Sequence, residues 1–142
     1  MITLDQAQAI IAGALAHAKT AALRPLGVVV LDNGGQLQAF ARQNGASFGR
    51  FAVAQAKAHG ALAMGDDTAV LAERAKGNPV FFASLSAVFD GKIAYSPGGV
   101  LVRDAAGAII GAVGISGDTG PNDAEAAIAG ITGAGFHAGA AS

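Results

Sequence analysis

The sequence predicts an α+β domain in which a five-stranded antiparallel sheet is covered by helices. Three observations point to it. Apolar residues recur at helical spacing near both ends and in the middle of the chain. Two turns, Asn33-Gly34-Gly35 and Ala105-Ala106-Gly107, each join a pair of apolar β runs. The hairpins and helices come in separate blocks, which argues against a parallel βαβ fold.

The elements follow in order. Thr3 with Gln6 fits a capping box, and Leu4, Ala7, Ile11, Ala14, Leu15, Ala18 and Ala22 carry a first helix from about Leu4 to Leu23, before Pro25. Gly27 to Asp32 is too continuously apolar for a solvated strand and reads as a central one. After the turn, Gln36 to Arg42 alternates as a returning strand. Arg50 to Met64 is an alanine-rich helix, stopped at Gly65-Asp66-Asp67. Asp67 is placed to cap another helix, Thr68 to Lys76. Pro79 to Phe89 fits a strand or a buried helix, and the proline at its start favours the helix. Lys92 to Tyr95 is a short strand, and Val100 to Asp104 and Ala108 to Ser116 form the second hairpin. A last helix starts at Asn122 or Asp123 and runs through Ile131. All of this is one domain, 1–142, with a flexible glycine- and alanine-rich tail over 133–142.

Composition narrows the partners. A formal net charge of −1, with 13% charged residues, offers no basic field for nucleic acid or lipid headgroups. With 52% apolar residues, a monomer would leave apolar surface exposed, so a homo-oligomer is expected. The chain has no cysteine, which removes disulfides and thiolate chemistry. No basic n-region precedes the first apolar segment and no run is long enough to span a bilayer, so the expected location is cytoplasmic, without a membrane partner. Phosphate-loop, dinucleotide and serine-triad patterns are missing, and no ligand spacing proposes a metal site.

The residues left to carry chemistry are few. The histidines are the neutral-pH proton carriers and the side-chain nitrogens suited to iron. His17 lies at the border of the apolar face of the first helix, as an iron ligand or as a subunit contact. His59 shares one side of the second helix with Ala52, Ala56 and Ala63, small residues that leave room for a ligand. His137 lies in the tail. Lys57 either snorkels to water or points into a cleft, where it would pair with a carboxylate or act as a base. Arg42 offers a planar fork to a carboxylate, or an ordinary salt bridge with Asp32 or Asp123. Pro97-Gly98-Gly99 lets something approach the main chain closely, with Tyr95 and Ser96 beside it. Glycines at 111, 114 and 117 weaken a strand unless close approach is required there.

Taken together, Val30-Leu31-Asp32 with Gly34-Gly35, Ala41 to Ala46, Ala54-Gln55-Ala56-Lys57-Ala58, Pro97-Gly98-Gly99-Val100 and Gly111 to Gly117 ahead of Asp123 resemble the GlcG/HbpS family. The resemblance covers nearly the whole chain. It implies a profilin-like three-layer sandwich that assembles into oligomers. The family includes haem-binding proteins, a protein encoded with glycolate-utilisation genes, and the C-terminal domain of PduO-type cobalamin adenosyltransferases. Asn44 stands where the family pattern has an acidic residue, and His59-Gly60 departs from it beside the expected pocket.

Two functions follow as expectations. The first is a homo-oligomeric small-molecule-binding protein whose cleft lies between the second helix and the Pro97-Gly98-Gly99 bend. There Gly98 and Gly99 donate main-chain contacts, Arg42 and Lys57 hold carboxylates, and His17 or His59 reaches the iron of a haem or other tetrapyrrole. The ligand is otherwise a small carboxylated metabolite. The second is a cofactor-independent isomerase, tautomerase or lyase with the same Arg42 anchor, in which His59 or Lys57 moves the proton and the Gly98 and Gly99 amides face a developing oxyanion.

Overall fold

The computed structural model describes residues 1–139 of the chain. Its elements are α1 (Leu4–Thr20), β1 (Gly27–Asp32), β2 (Leu37–Arg42), α2 (Gly49–Met64), α3 (Thr68–Gly77), α4 (Pro79–Val88), β3 (Gly99–Arg103), β4 (Ile109–Ser116) and α5 (Gly120–Gly133). The strands form one antiparallel sheet in the order β2-β1-β4-β3, with β1 and β4 inside.

Alternation along the inner strands sorts the core into two layers. Val28 and Val30 of β1, with Val113 and Ile115 of β4, face α1 and α5, where Ile10, Ala14, Ala127 and Ile131 are buried. Val29 and Leu31 face α2 through Ala54, Ala58 and Ala61. A third cluster, Leu71, Phe82, Leu85 and Ile93, joins α3 and α4 beside the sandwich. The glycines of β4 are close-approach positions. A Cβ on Gly114 would strike the carbonyl oxygen of Ala54, so glycine there lets α2 lie directly on the sheet.

Among the described residues the sheet has four strands where five were expected. Lys92 to Tyr95 does not pair with the sheet: the main chain of Lys92 and the side chain of Ile93 are engaged elsewhere. Lys92 N donates to Phe89 O, Lys92 O bonds His59, and Ile93 packs against Gly60, where a Cβ would come 2.8 Å from Ile93 Cγ1. α1 stops at Thr20, short of Leu23: Ala22 takes a left-handed φ of 54° and Leu23 N reaches back to Ala18 O, the pattern of a Schellman cap. Asp67 precedes α3 without capping it by its side chain, since Oδ1 accepts from Leu101 N on β3.

That bond is part of a larger arrangement. Along the outer edge of β3, Gly99 N donates to Thr68 Oγ1, Leu101 N to Asp67 Oδ1 and Arg103 N to His137 O, so alternate edge amides are all satisfied. The expected flexible tail thus begins with a docked stretch: Phe136 packs on the α1–α5 core and His137 forms an isolated antiparallel bridge with Arg103. Residues 140–142 of that tail lie outside the described residues.

Candidate functional site

The second helix and the Pro97-Gly98-Gly99 bend do meet, but in direct contact. Lys57 and Asp123 are 3% and 2% exposed, and Lys57 Nζ lies 3.1 Å from Asp123 Oδ2 while donating to Ile115 O at 2.8 Å. A Cβ on Gly98, whose φ is 129°, would fall 2.8 Å from Lys57 Nζ and against Ile115 O. One on Gly99 would strike the Lys57 carbonyl. The bend therefore closes over the ammonium, and its glycines allow chain-to-chain packing. Gly99 N is already donated to Thr68 Oγ1 at 2.8 Å. Burial lowers the pKa of Lys57 and raises that of Asp123, and the attraction between them opposes both shifts. Asp123 Oδ1 also accepts from Asp118 N, which ties the pair to the start of α5.

The remaining candidates are spread over the molecule. Arg42, at the end of β2, donates from Nη1 to Ala46 O at 2.6 Å. Together with Leu23, Pro25, Gln43 and Asn44 it lines an open groove of about 490 Å³, within the usual range of about 300–1,000 Å³ for small-molecule sites. It pairs with neither Asp32 nor Asp123. Tyr95 donates its hydroxyl to Phe82 O at 2.6 Å and stacks edge-on against the Phe82 ring, a structural role. Ser96 lies against the start of α5 at Gly120.

His59 faces the opposite end of β1 from Arg42. Its Nδ1 is 2.8 Å from Lys92 O. A carbonyl only accepts, so Nδ1 carries the proton and Nε2 keeps the lone pair when the ring is uncharged. With Asn33, Gly34, Gly35, Leu62 and Ala63 it lines a cavity of about 180 Å³, below the range of pockets that enclose drug-sized ligands. The departure His59-Gly60 is thus one device: Gly60 admits Ile93, and the passing segment brings Lys92 O to the imidazole.

His17 lies on the other face of the sheet. α1 and α5 touch where a Cβ on Gly130 would come 3.1 Å from Ala14 N, and their neighbouring ends are joined by Arg24 N donating to Asp118 Oδ2. His17 follows Ala14 by one turn on that side of α1. Its Nε2 is buried and has no hydrogen-bond partner. Among the described residues the other such atom is Arg103 Nε. His17 and His59 flank the sheet from opposite sides, so one chain cannot place both on the same iron.

Sequence reasoning missed Thr68, Asp67 and Arg103. An Asp-Thr pair before a helix reads as a cap, and nothing in spacing connects it to a strand more than thirty residues on. Among the described residues, no cluster of three or more His, Asp or Glu gathers as a metal site, and no helix is long and apolar enough to cross a membrane.

The fold defines an α+β domain, with the candidate residues distributed over both faces of one sheet. Residues 2–132 match the family described as "Haem degrading protein HbpS-like", and the chain belongs to that family. The C-terminal domain of PduO in a haem complex aligns at 24% identity and a TM-score of 0.83, over 94% of this chain and 95% of that one. A double mutant of Streptomyces reticuli HbpS aligns at 27% identity and 0.79, over 92% and 84%. Klebsiella pneumoniae ORFY, of family model DUF336, aligns at 24% and 0.85, over 94% and 90%. No curated protein matches the sequence significantly.

Proposed function

We propose that this chain is a tetrapyrrole-binding protein of the HbpS type, with His17 as the iron ligand. The observation that carries the reading is the buried, unpartnered Nε2 of His17 on α1. A buried imidazole nitrogen without a partner costs about 1–3 kcal/mol, which a bond to iron would remove. The haem complex of a relative with the same fold supports the ligand class. Haem, when bound, supplies the iron and its redox chemistry. The chain's own part would be to present one buried imidazole nitrogen from α1, on a residue that is otherwise half-buried. Ferric haem titrated into the protein should give a Soret band whose position shifts, with at least tenfold weaker binding, in His17→Ala. In His59→Ala the band should stay where it is. The reverse pattern would move the iron site to the α2 face.

A second reading, a small carboxylated ligand, is favoured by the Arg42 groove, whose guanidinium keeps donors beyond the one given to Ala46 O. The enzymatic version has less support, because Lys57 and the Gly99 amide are bonded to Asp123 and Thr68.

Self-association is part of the proposal. Leu37 and Phe40 of the edge strand β2 are 48% and 36% exposed, and Phe48 at the start of α2 is 88% exposed. α2 lies over β4, β1 and β3 and leaves this strip of β2 largely uncovered. Native mass spectrometry should show an oligomer, reduced to monomer by Phe40→Glu. A monomeric parent protein would remove this part of the account.

A further inference from the structure

Beside the outer edge of β3, away from His17, Arg42 and His59, lies a cavity of about 170 Å³ lined by Asp66, Asp67, Val70, Leu101, Arg103 and Ala138. Its polar walls carry opposite charges that do not meet. Arg103 donates from Nη1 to Gly107 O at 3.2 Å, while its Nε is buried without an acceptor. Asp67 uses Oδ1 to accept from Leu101 N at 2.8 Å, and its other oxygen makes no hydrogen bond among the described residues. Asp66 is held by Arg74 at 3.0 Å. No ion pair joins Arg103 to either aspartate among the described residues.

The geometry points to a binding site for a small α-amino acid, its carboxylate on the Nε side of Arg103 and its ammonium on the free oxygen of Asp67. The argument is one of complementarity. A guanidinium with one edge unpaired takes a carboxylate in two parallel bonds. A carboxylate whose second oxygen is idle takes a cationic donor, and burial has already raised the Asp67 pKa, so a cation beside it relieves a cost the fold carries. A simple anion would satisfy Arg103 and be repelled by two aspartates; a simple cation would do the opposite. The cavity is small and open on one side, which suits a compact zwitterion such as glycine or alanine. Val70 and Leu101 offer the apolar floor for an alanine methyl. The Ala138 wall follows His137, whose main chain is bonded to that of Arg103 in both directions.

The site does not depend on the haem reading. The test is a titration of the full chain with glycine and with L-alanine, read by amide chemical shifts at constant ionic strength, alongside acetate and methylamine, each of which carries one half of the zwitterion. We expect saturable shifts at Asp67, Leu101 and Arg103 with glycine and alanine, and at least tenfold weaker binding of acetate and methylamine. Asp67→Asn, which keeps an acceptor for Leu101 N, and Arg103→Lys, which keeps the charge and loses the fork, should each weaken glycine at least tenfold. No saturable shift in the parent protein, shifts confined to other regions, acetate binding as well as glycine, or folded variants that bind like the parent would each overturn the assignment.

Discussion

Lys57 and Asp123 show how a single residue can look chemical and be structural. A lysine on an alanine-lined helix face beside a Pro-Gly-Gly bend suggests a ligand cleft, yet the ammonium is met within the chain by Asp123 Oδ2 and Ile115 O. A buried pair of this kind tolerates loss of both charges better than loss of one. Lys57→Met should destabilise the fold by about 3–5 kcal/mol by leaving a buried carboxylate unpaired. Lys57→Met with Asp123→Leu should cost clearly less than the two single changes added together. Urea denaturation of the four proteins checks this, and strict additivity would mean the pair is not coupled as described. Histidine was the most legible residue type, because imidazole is scarce here and its chemistry is specific. The sequence could name His17 and His59 but could not say which nitrogen was free. That depends on Lys92 O in one case and on the burial of Nε2 in the other.

Element types were readable wherever period and punctuation agreed. The capping box at Thr3 and Gln6 forms as its spacing implied, and the ambiguous run from Pro79 is a helix with proline at its start. Boundaries were less readable where a turn used an unusual residue. α1 ends through Ala22 at a left-handed φ, a place glycine normally fills. Ala22→Gly should therefore stabilise the protein by about 0.5–1 kcal/mol, seen as a raised thermal midpoint. A lowered midpoint would show that the strain is not there. The junction of α1 with α5 is held by Asp118, which accepts from Arg24 N, Thr119 N and Asn122 Nδ2. Those bonds, Arg24 N first among them, hold its pKa well below the ordinary 3.8. A group depressed in the folded state stabilises above its unfolded pKa, and that contribution fades as pH falls towards its folded value. The stability gap between the protein and Asp118→Asn should be widest near neutrality and narrow as pH drops below 3.8. A gap independent of pH would separate Asp118 from the junction.

Across the whole molecule the expected antiparallel sheet with helices on both faces is present, with four strands, and its two edges are treated differently. Thr68, Asp67 and His137 close the edge at β3, while β2 leaves Leu37 and Phe40 exposed at the other. The fifth strand was not readable as absent, because a short apolar run gives no sign that its main chain will bond a histidine instead of a neighbouring strand. The single cleft drawn from the sequence resolves into separate places. Arg42 and His59 lie towards opposite ends of the sheet, and His17 lies behind it. That separation makes the central claim sharp, since only one histidine of a chain can reach a given iron from its own face. The most direct measurement is the ring-nitrogen spectrum of histidine-labelled protein before and after one equivalent of ferric haem. The account predicts that paramagnetic broadening removes the His17 ring signals and leaves those of His59 and His137 visible. Loss of the His59 signals with His17 unchanged would contradict it.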